Sequence, residues 1–248
     1  KDVISPTESI VVNGTTVILN LNGNTISASG YDGAIYAKNG AQVTINGDGM
    51  IIGNDVNRYA MAVWSNGTGT HVTINGGTYQ NNKAEGNTDE QMDMIYASDG
   101  GTITINGGTL DCITPKWTLN VKDADYKENP DTIQVYGGTF KNYNPAEAAN
   151  ENPVANFVAD GYTVTTEEDG EDTWYTVVPL TAENSAAEVN GVYYENLTDA
   201  IAAADGGTVI LQKDIELSTD IGIELEANVP VTVDLNNFTL SISKKVYT

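Results

Sequence analysis

Between Val11 and Phe140 the chain keeps returning to one phrase in which apolar and polar residues alternate. Val43-Thr44-Ile45-Asn46-Gly47 is one copy. Val72-Thr73-Ile74-Asn75-Gly76-Gly77-Thr78-Tyr79, Ile103-Thr104-Ile105-Asn106-Gly107-Gly108-Thr109-Leu110 and Ile133-Gln134-Val135-Tyr136-Gly137-Gly138-Thr139-Phe140 follow. A looser copy, Leu19-Asn20-Leu21-Asn22-Gly23-Asn24-Thr25-Ile26, comes first, and the steps between copies are 24, 29, 31 and 30 residues. Alternation of period two belongs to a strand with one buried face, so Val72 and Ile74 are expected to point inward and Thr73 outward. The Asn-Gly pair tolerates a left-handed backbone and turns the chain. Tyr79, Leu110 and Phe140 then return to the interior.

Repeats of this length mark solenoids. A second apolar register lies upstream of each phrase: Ala34-Ile35-Tyr36-Ala37, Ala62-Val63-Trp64-Ser65 and Met94-Ile95-Tyr96-Ala97. Each rung therefore holds at least two strands. The excess length falls in Gly53–Tyr59, Gln80–Asp93 and Asp111–Asp131, loops expected to emerge on one side. Stacking at the inter-strand spacing of about 4.8 Å is predicted to align Asn22, Asn46, Asn75 and Asn106 in an amide ladder along the axis. No long amphipathic helix separates the copies, which excludes a doubly wound sheet. The predicted fold class is all-β: a right-handed parallel β-helix (solenoid) with a β-hairpin cap and the start of a second solenoid.

From roughly Val11 to Phe140, and again from Gly206 onward, these rungs resemble the pectin-lyase-like family of right-handed parallel β-helices. The resemblance implies the fold. It does not choose a function, because this fold serves lyases, hydrolases, adhesins and phage fibres.

The predicted organisation is 1–143 parallel β-helix, 144–179 hairpin cap, 180–186 linker, and 187–248 helical lid with the first rungs of a second β-helix. The cap is read from two apolar-alternating runs, Asn156–Val164 and Thr173–Val178, around the acidic turn Glu167–Asp172. The lid is read from Leu197, Ala200, Ile201 and Ala204 on one helical face, with Gly206 as the stop. Lys213-Asp214-Ile215 then repeats Lys1-Asp2-Val3, and Leu235-Asn236-Asn237-Phe238-Thr239-Leu240-Ser241 repeats the stretch from Leu21, at offsets of 212 to 214 residues. The expectation is one period, or a fragment, of a tandem protein whose modules meet end to end, in one chain or by self-association.

Composition narrows the partners. A formal charge of −23, from 34 acidic and 11 basic residues, disfavours nucleic acid, which needs a lysine or arginine stripe. No apolar run is long enough for membrane insertion. The acidity fits an extracellular, cell-surface or virion-surface protein. Calcium is the cation such carboxylates would favour, and Asp123, Asp125, Glu128 and Asp131, or Asp89, Glu90 and Asp93, are the candidates. Neither group has EF-hand spacing, so no cofactor or metal ligand is assigned.

Catalytic residues are scarce. The resemblance implies a cation for a lyase, and Arg58 is the sole arginine. It implies a carboxylate set for a hydrolase, and Asn87-Thr88-Asp89 is the one matching tripeptide. His71, the only histidine, is read as an exposed strand residue. Cys112, the only cysteine, is read as a small core residue. No catalytic residues are assigned, and a polysaccharide lyase or hydrolase is disfavoured.

The remaining candidate is aromatic. With Ile35, Val63 and Ile95 pointing inward, Tyr36, Trp64 and Tyr96 stack outward on successive rungs, as a ligand-binding strip for a glycan. The function expected is therefore a non-enzymatic structural or adhesive module of an exported tandem-repeat surface or fibre protein. The alternative is a glycan-binding module using this strip.

Overall fold

The structure, a computed structural model, describes residues 2–5, 8–28, 32–54, 60–82, 91–219 and 229–244. They form two compact units, Lys1–Val178 and Pro179–Thr248. The first is a parallel β-solenoid with three faces. Face A carries Val3–Ser5, Thr25–Ala28, Met50–Asn54, Thr78–Asn82, Thr109–Asp111 and Gly138–Lys141 side by side. Face B carries Ile10–Asn13, Ile35–Lys38, Val63–Asn66, Ile95–Ser98 and Leu119–Val121. Face C carries Thr16–Asn20, Gln42–Asn46, His71–Ile74, Thr102–Ile105 and Ile133–Val135. The chain visits B, C and A in turn.

Alternation becomes packing through the register. Val43, Val72, Ile103 and Ile133 lie in one inward column, and Ile45, Ile74, Ile105 and Val135 in the next. All eight are buried, each worth about 1.5–3 kcal/mol relative to exposure. Thr44, Thr73 and Thr104 alternate outward and stay half-exposed. The repeated Gly-Gly pair has two separate causes. At Gly76, Gly107 and Gly137 a Cβ would meet a backbone oxygen of the preceding rung at 2.9, 3.2 and 2.4 Å. At Gly77, Gly108 and Gly138 the backbone φ is 94°, 112° and 110°, which L side chains rarely adopt.

Corner lengths are unequal. Between C and A the chain spends only short turns such as 47–49, 75–77 and 106–108. Between A and B it runs through 29–34, 55–62, 83–94 and 112–118. The excess expected over Asp111–Asp131 does not leave on one side. Strand Leu119–Val121 divides it, and its second part, 122–132, lies between B and C. That part holds helix Asp123–Glu128, too short for the apolar period to reveal.

The far end is closed on all three faces. On A, Gly138–Lys141 pairs antiparallel with Asp172–Pro179, which continues into Tyr162–Asp169. On C, the amide of Val135 donates to the carbonyl of Phe157 at 2.8 Å, and Ala159 donates back to Val135 at 3.0 Å. On B, side chains stand in for a strand. Asn150 Nδ2 donates to the carbonyl of Leu119 at 2.9 Å, and Glu151 Oε1 accepts from the amide of Val121 at 2.9 Å. Tyr143, Ala148, Ala155 and Phe157 extend the core.

The second unit has its own core. Helix Leu197–Ala203 starts at Asn196, whose Oδ1 accepts from the amide of Asp199 at 2.9 Å. It buries Leu197, Ala200 and Ile201 against Val189, Val209 and Leu211. Strand Thr208–Leu211 pairs antiparallel with Ala187–Val189 and parallel with Thr232–Asp234. Ile215–Thr219 pairs parallel with Leu240–Lys244.

Candidate functional site

Inward residues Ile35, Val63 and Ile95 are buried, so their neighbours Tyr36, Trp64 and Tyr96 face outward on face B, in register across three rungs. Tyr36 and Trp64 stack with ring centroids 4.5 Å apart and 30° between planes. Trp64 and Tyr96 are 5.8 Å apart and tilted by 43°. All three rings are partly exposed. Val11 occupies the same column before Tyr36, and Asn120 occupies it after Tyr96.

The rings are held by the next outward column. Trp64 Nε1 donates to Ser98 Oγ at 2.8 Å. Asn66 Nδ2 donates to the same oxygen at 2.8 Å, and Tyr36 Oη donates to Asn66 Oδ1 at 3.4 Å. The ammonium of Lys38 lies 4.9 Å from the centre of the Tyr36 ring.

Past Tyr96 the column enters a pocket of about 490 Å³ lined by Gln91, Asp93, Tyr96, Asn120, Lys122 and Asp123, among others. It lies where residues 91–93 and the helical B–C corner meet over face B. Its floor is polar but buried. Asn120 Nδ2 donates to Asp93 Oδ1 at 3.0 Å, and Asn150 Nδ2 donates to Asn120 Oδ1 at 3.2 Å. Lys122 is paired with Asp99, which holds the Asp99 carboxyl below its ordinary range. Burial, then the carboxylates of Asp93, Asp99, Asp125 and Asp123, push the Tyr96 phenol up. Tyr96 therefore keeps its proton and can donate as well as accept. Behind the floor, burial and then the charges of Asp123 and Asp93 raise the Glu151 carboxyl, against the hydrogen bond from Val121.

The amide ladder lies on the corner between C and A, and its first member is Asn20 rather than Asn22. Asn46 Nδ2 donates to Asn20 Oδ1 at 3.1 Å, Asn75 to Asn46 at 2.8 Å, and Asn106 to Asn75 at 2.8 Å. Asn20 is in register with Asn46. Asn22 sits two residues on, in the turn itself, at φ 50°. The first phrase has a longer corner, and that displaces its Asn-Gly pair. The ladder is structural: its amides satisfy one another.

His71 is half-buried rather than exposed, with Nδ1 2.8 Å from Thr102 Oγ1, and burial lowers its pKa. Cys112 is buried, with Sγ 3.4 Å from the carbonyl of Met92, and burial pushes its thiol up to about 11. Arg58 and Asn87-Thr88-Asp89, with Glu90, lie outside the described residues. Among the described residues no group of three or more His, Cys, Asp or Glu side chains could hold a metal ion, and Asp123, Asp125 and Glu128 are spread along a helix instead. Among the described residues no helix is long and apolar enough to cross a membrane. The pocket is the element that sequence reasoning missed. Its lining comes from two corners and a strand, and no periodicity links them.

In comparisons with protein-family models, curated proteins and solved structures, nothing matches this chain.

Proposed function

We propose that this chain is a non-enzymatic adhesive module of a tandem-repeat surface protein, and that face B is its glycan-binding surface. The reading rests on one observation: three outward rings in register, continuing into a polar pocket. Because the rings lean on one another, it is their exposed edges and the open parts of the tilted faces that offer apolar contact to the C–H groups of sugar rings, while fixed polar groups at one end set orientation. The tilts between neighbouring rings suit a twisted chain of sugars rather than one flat ligand. Asp93 and Asp123 in the lining, on a chain of charge −23, favour neutral sugars over uronates. The exported location and the pectin-lyase-like kinship belong to the same proposal, carried by the acidic composition and the rung pattern.

The test is a glycan array of neutral and uronate oligosaccharides read with the intact chain and with Trp64→Ala. Binding to neutral glycans, weakened at least tenfold in the variant with a Tm shift of only a few degrees, is expected. No binding, or equal binding by the variant, overturns the reading. A loss of fold on Trp64→Ala is separated from a loss of contact by Trp64→Phe, which keeps the packing and part of the platform.

A further inference from the structure

Among the described residues the solenoid is closed at its far end and uncovered at its near end. Val17 and Leu19 point inward like Val43 and Ile45, yet they remain partly exposed, where Val43 and Ile45 are 2% and 0% exposed. Ile10 is likewise partly exposed and its successor Ile35 is not. Among the described residues strand Thr16–Asn20 has a neighbour on one side alone, Gln42–Asn46.

The second unit repeats this same rung. Asp214 Oδ1 accepts from the amide of Thr239 at 2.7 Å, as Asp2 Oδ1 accepts from Thr25 at 2.9 Å. Ile215 is in register with Leu240, as Val3 is with Ile26. Asn236 and Asn237 turn the chain at φ 47° and 65°, as Asn22 and Gly23 do at 50° and 73°. Thr232–Asp234 is thus the counterpart of Ile18–Asn20. In the second unit the other edge of that strand is occupied. Thr208, Val209 and Ile210 pair in parallel with Thr232, Val233 and Asp234, and the amide of Thr232 donates to Gly207 at 3.1 Å. Helix Leu197–Ala203 packs on the same core.

We propose that the free edge of Thr16–Asn20, with the open core end at Val17 and Leu19, is a docking surface for a helix-and-strand lid built like 184–212. The lid strand runs parallel to Thr16–Asn20, sets its Thr208-type residue beside Ile18, and accepts a hydrogen bond from the Ile18 amide. Its helix covers Val17 and Leu19. An exposed strand edge over an open apolar core is otherwise a site of uncontrolled pairing. The open rung of a second copy fits less well. Its Leu240–Lys244 is of the Thr25–Ala28 type, and the place next to Thr25–Ala28 is already held by Val3–Ser5.

The experiment joins a second copy of 184–212 directly to Lys1, which restores the order Leu-Gln-Lys-Asp found at Leu211–Asp214. Hydrogen exchange and Tm are compared with the unmodified chain. The Ile18 amide is expected to exchange about tenfold more slowly or better, and the Tm to rise by several degrees. Val209→Asp in the added copy is expected to abolish both gains. Unchanged exchange at Ile18, or an equal gain with Val209→Asp, overturns the proposal. So does protection of Ile18 that grows with the concentration of the unmodified chain, because it assigns the edge to a second copy.

Discussion

Trp64 Nε1 donates to Ser98 Oγ across one rung, at 2.8 Å. The indole is therefore fixed before any ligand arrives, and a fixed ring loses little entropy on binding. Ser98→Ala removes this acceptor and the one used by Asn66. The expected result is a three- to tenfold weaker glycan affinity, with a stability loss of about 1 kcal/mol. Glycan titration beside a urea melt measures both.

Inward and outward positions of one strand should respond oppositely to charge. Ile74 and Ile105 are fully buried, and Ile74→Asp or Ile105→Asp places a carboxylate where it has no partner, costing several kcal/mol or the fold itself. Thr73→Asp and Thr104→Asp, on the half-exposed side, should change stability by about 0.5 kcal/mol. Equal melting temperatures for the two classes contradict the packing.

The amide ladder should carry measurable stability at its middle. Asn75 both donates to Asn46 and accepts from Asn106. Asn75→Ala breaks both bonds and should cost about 1–2 kcal/mol. Asn22→Ala breaks no rung-to-rung bond of the ladder, so its loss should be smaller and confined to backbone strain at φ 50°. Chemical denaturation of the two variants decides whether Asn20 or Asn22 heads the ladder.

Glu151 makes stability depend on pH. Burial raises its folded pKa above the unfolded value, so its favourable contribution is complete below the unfolded pKa and is lost as pH rises through the folded one. Glu151→Gln lacks that titration. The difference in Tm between the native chain and Glu151→Gln should therefore move in favour of the native chain as pH falls from about 7 to about 4. A difference that is flat, or that moves the other way, refutes the assignment.

How far the sequence reaches depends on how local the signal is. The alternation around Val72–Ile74 gives the inward column and the turn after it, because both are decided within a few residues. Outward Tyr36, Trp64 and Tyr96 follow from the same parity. The identity of the ladder's first residue does not, since it depends on a corner of different length after Asn20. Helix Asp123–Glu128 is hidden by its brevity. The pocket is hidden because Asp93 and Asn120 meet only when two rungs stack. The side chains of Asn150 and Glu151 sealing face B look, in sequence, like ordinary loop polarity.

The unequal corners divide the molecule's labour. At Gly76, Gly107 and Gly137 the turns between C and A leave little room for a side chain, so that seam tolerates little change there. The A–B corner runs from 29–34 to 83–94 without altering a single pairing on either face, and doubling such a loop costs only about 0.6 kcal/mol. Residues 91–94 of that corner border the aromatic column at Tyr96. Lengthening or exchanging these segments would therefore change the surface beside Tyr96 while the rungs that display it stay as they are. A laboratory library confined to the same corner would vary specificity on a constant frame.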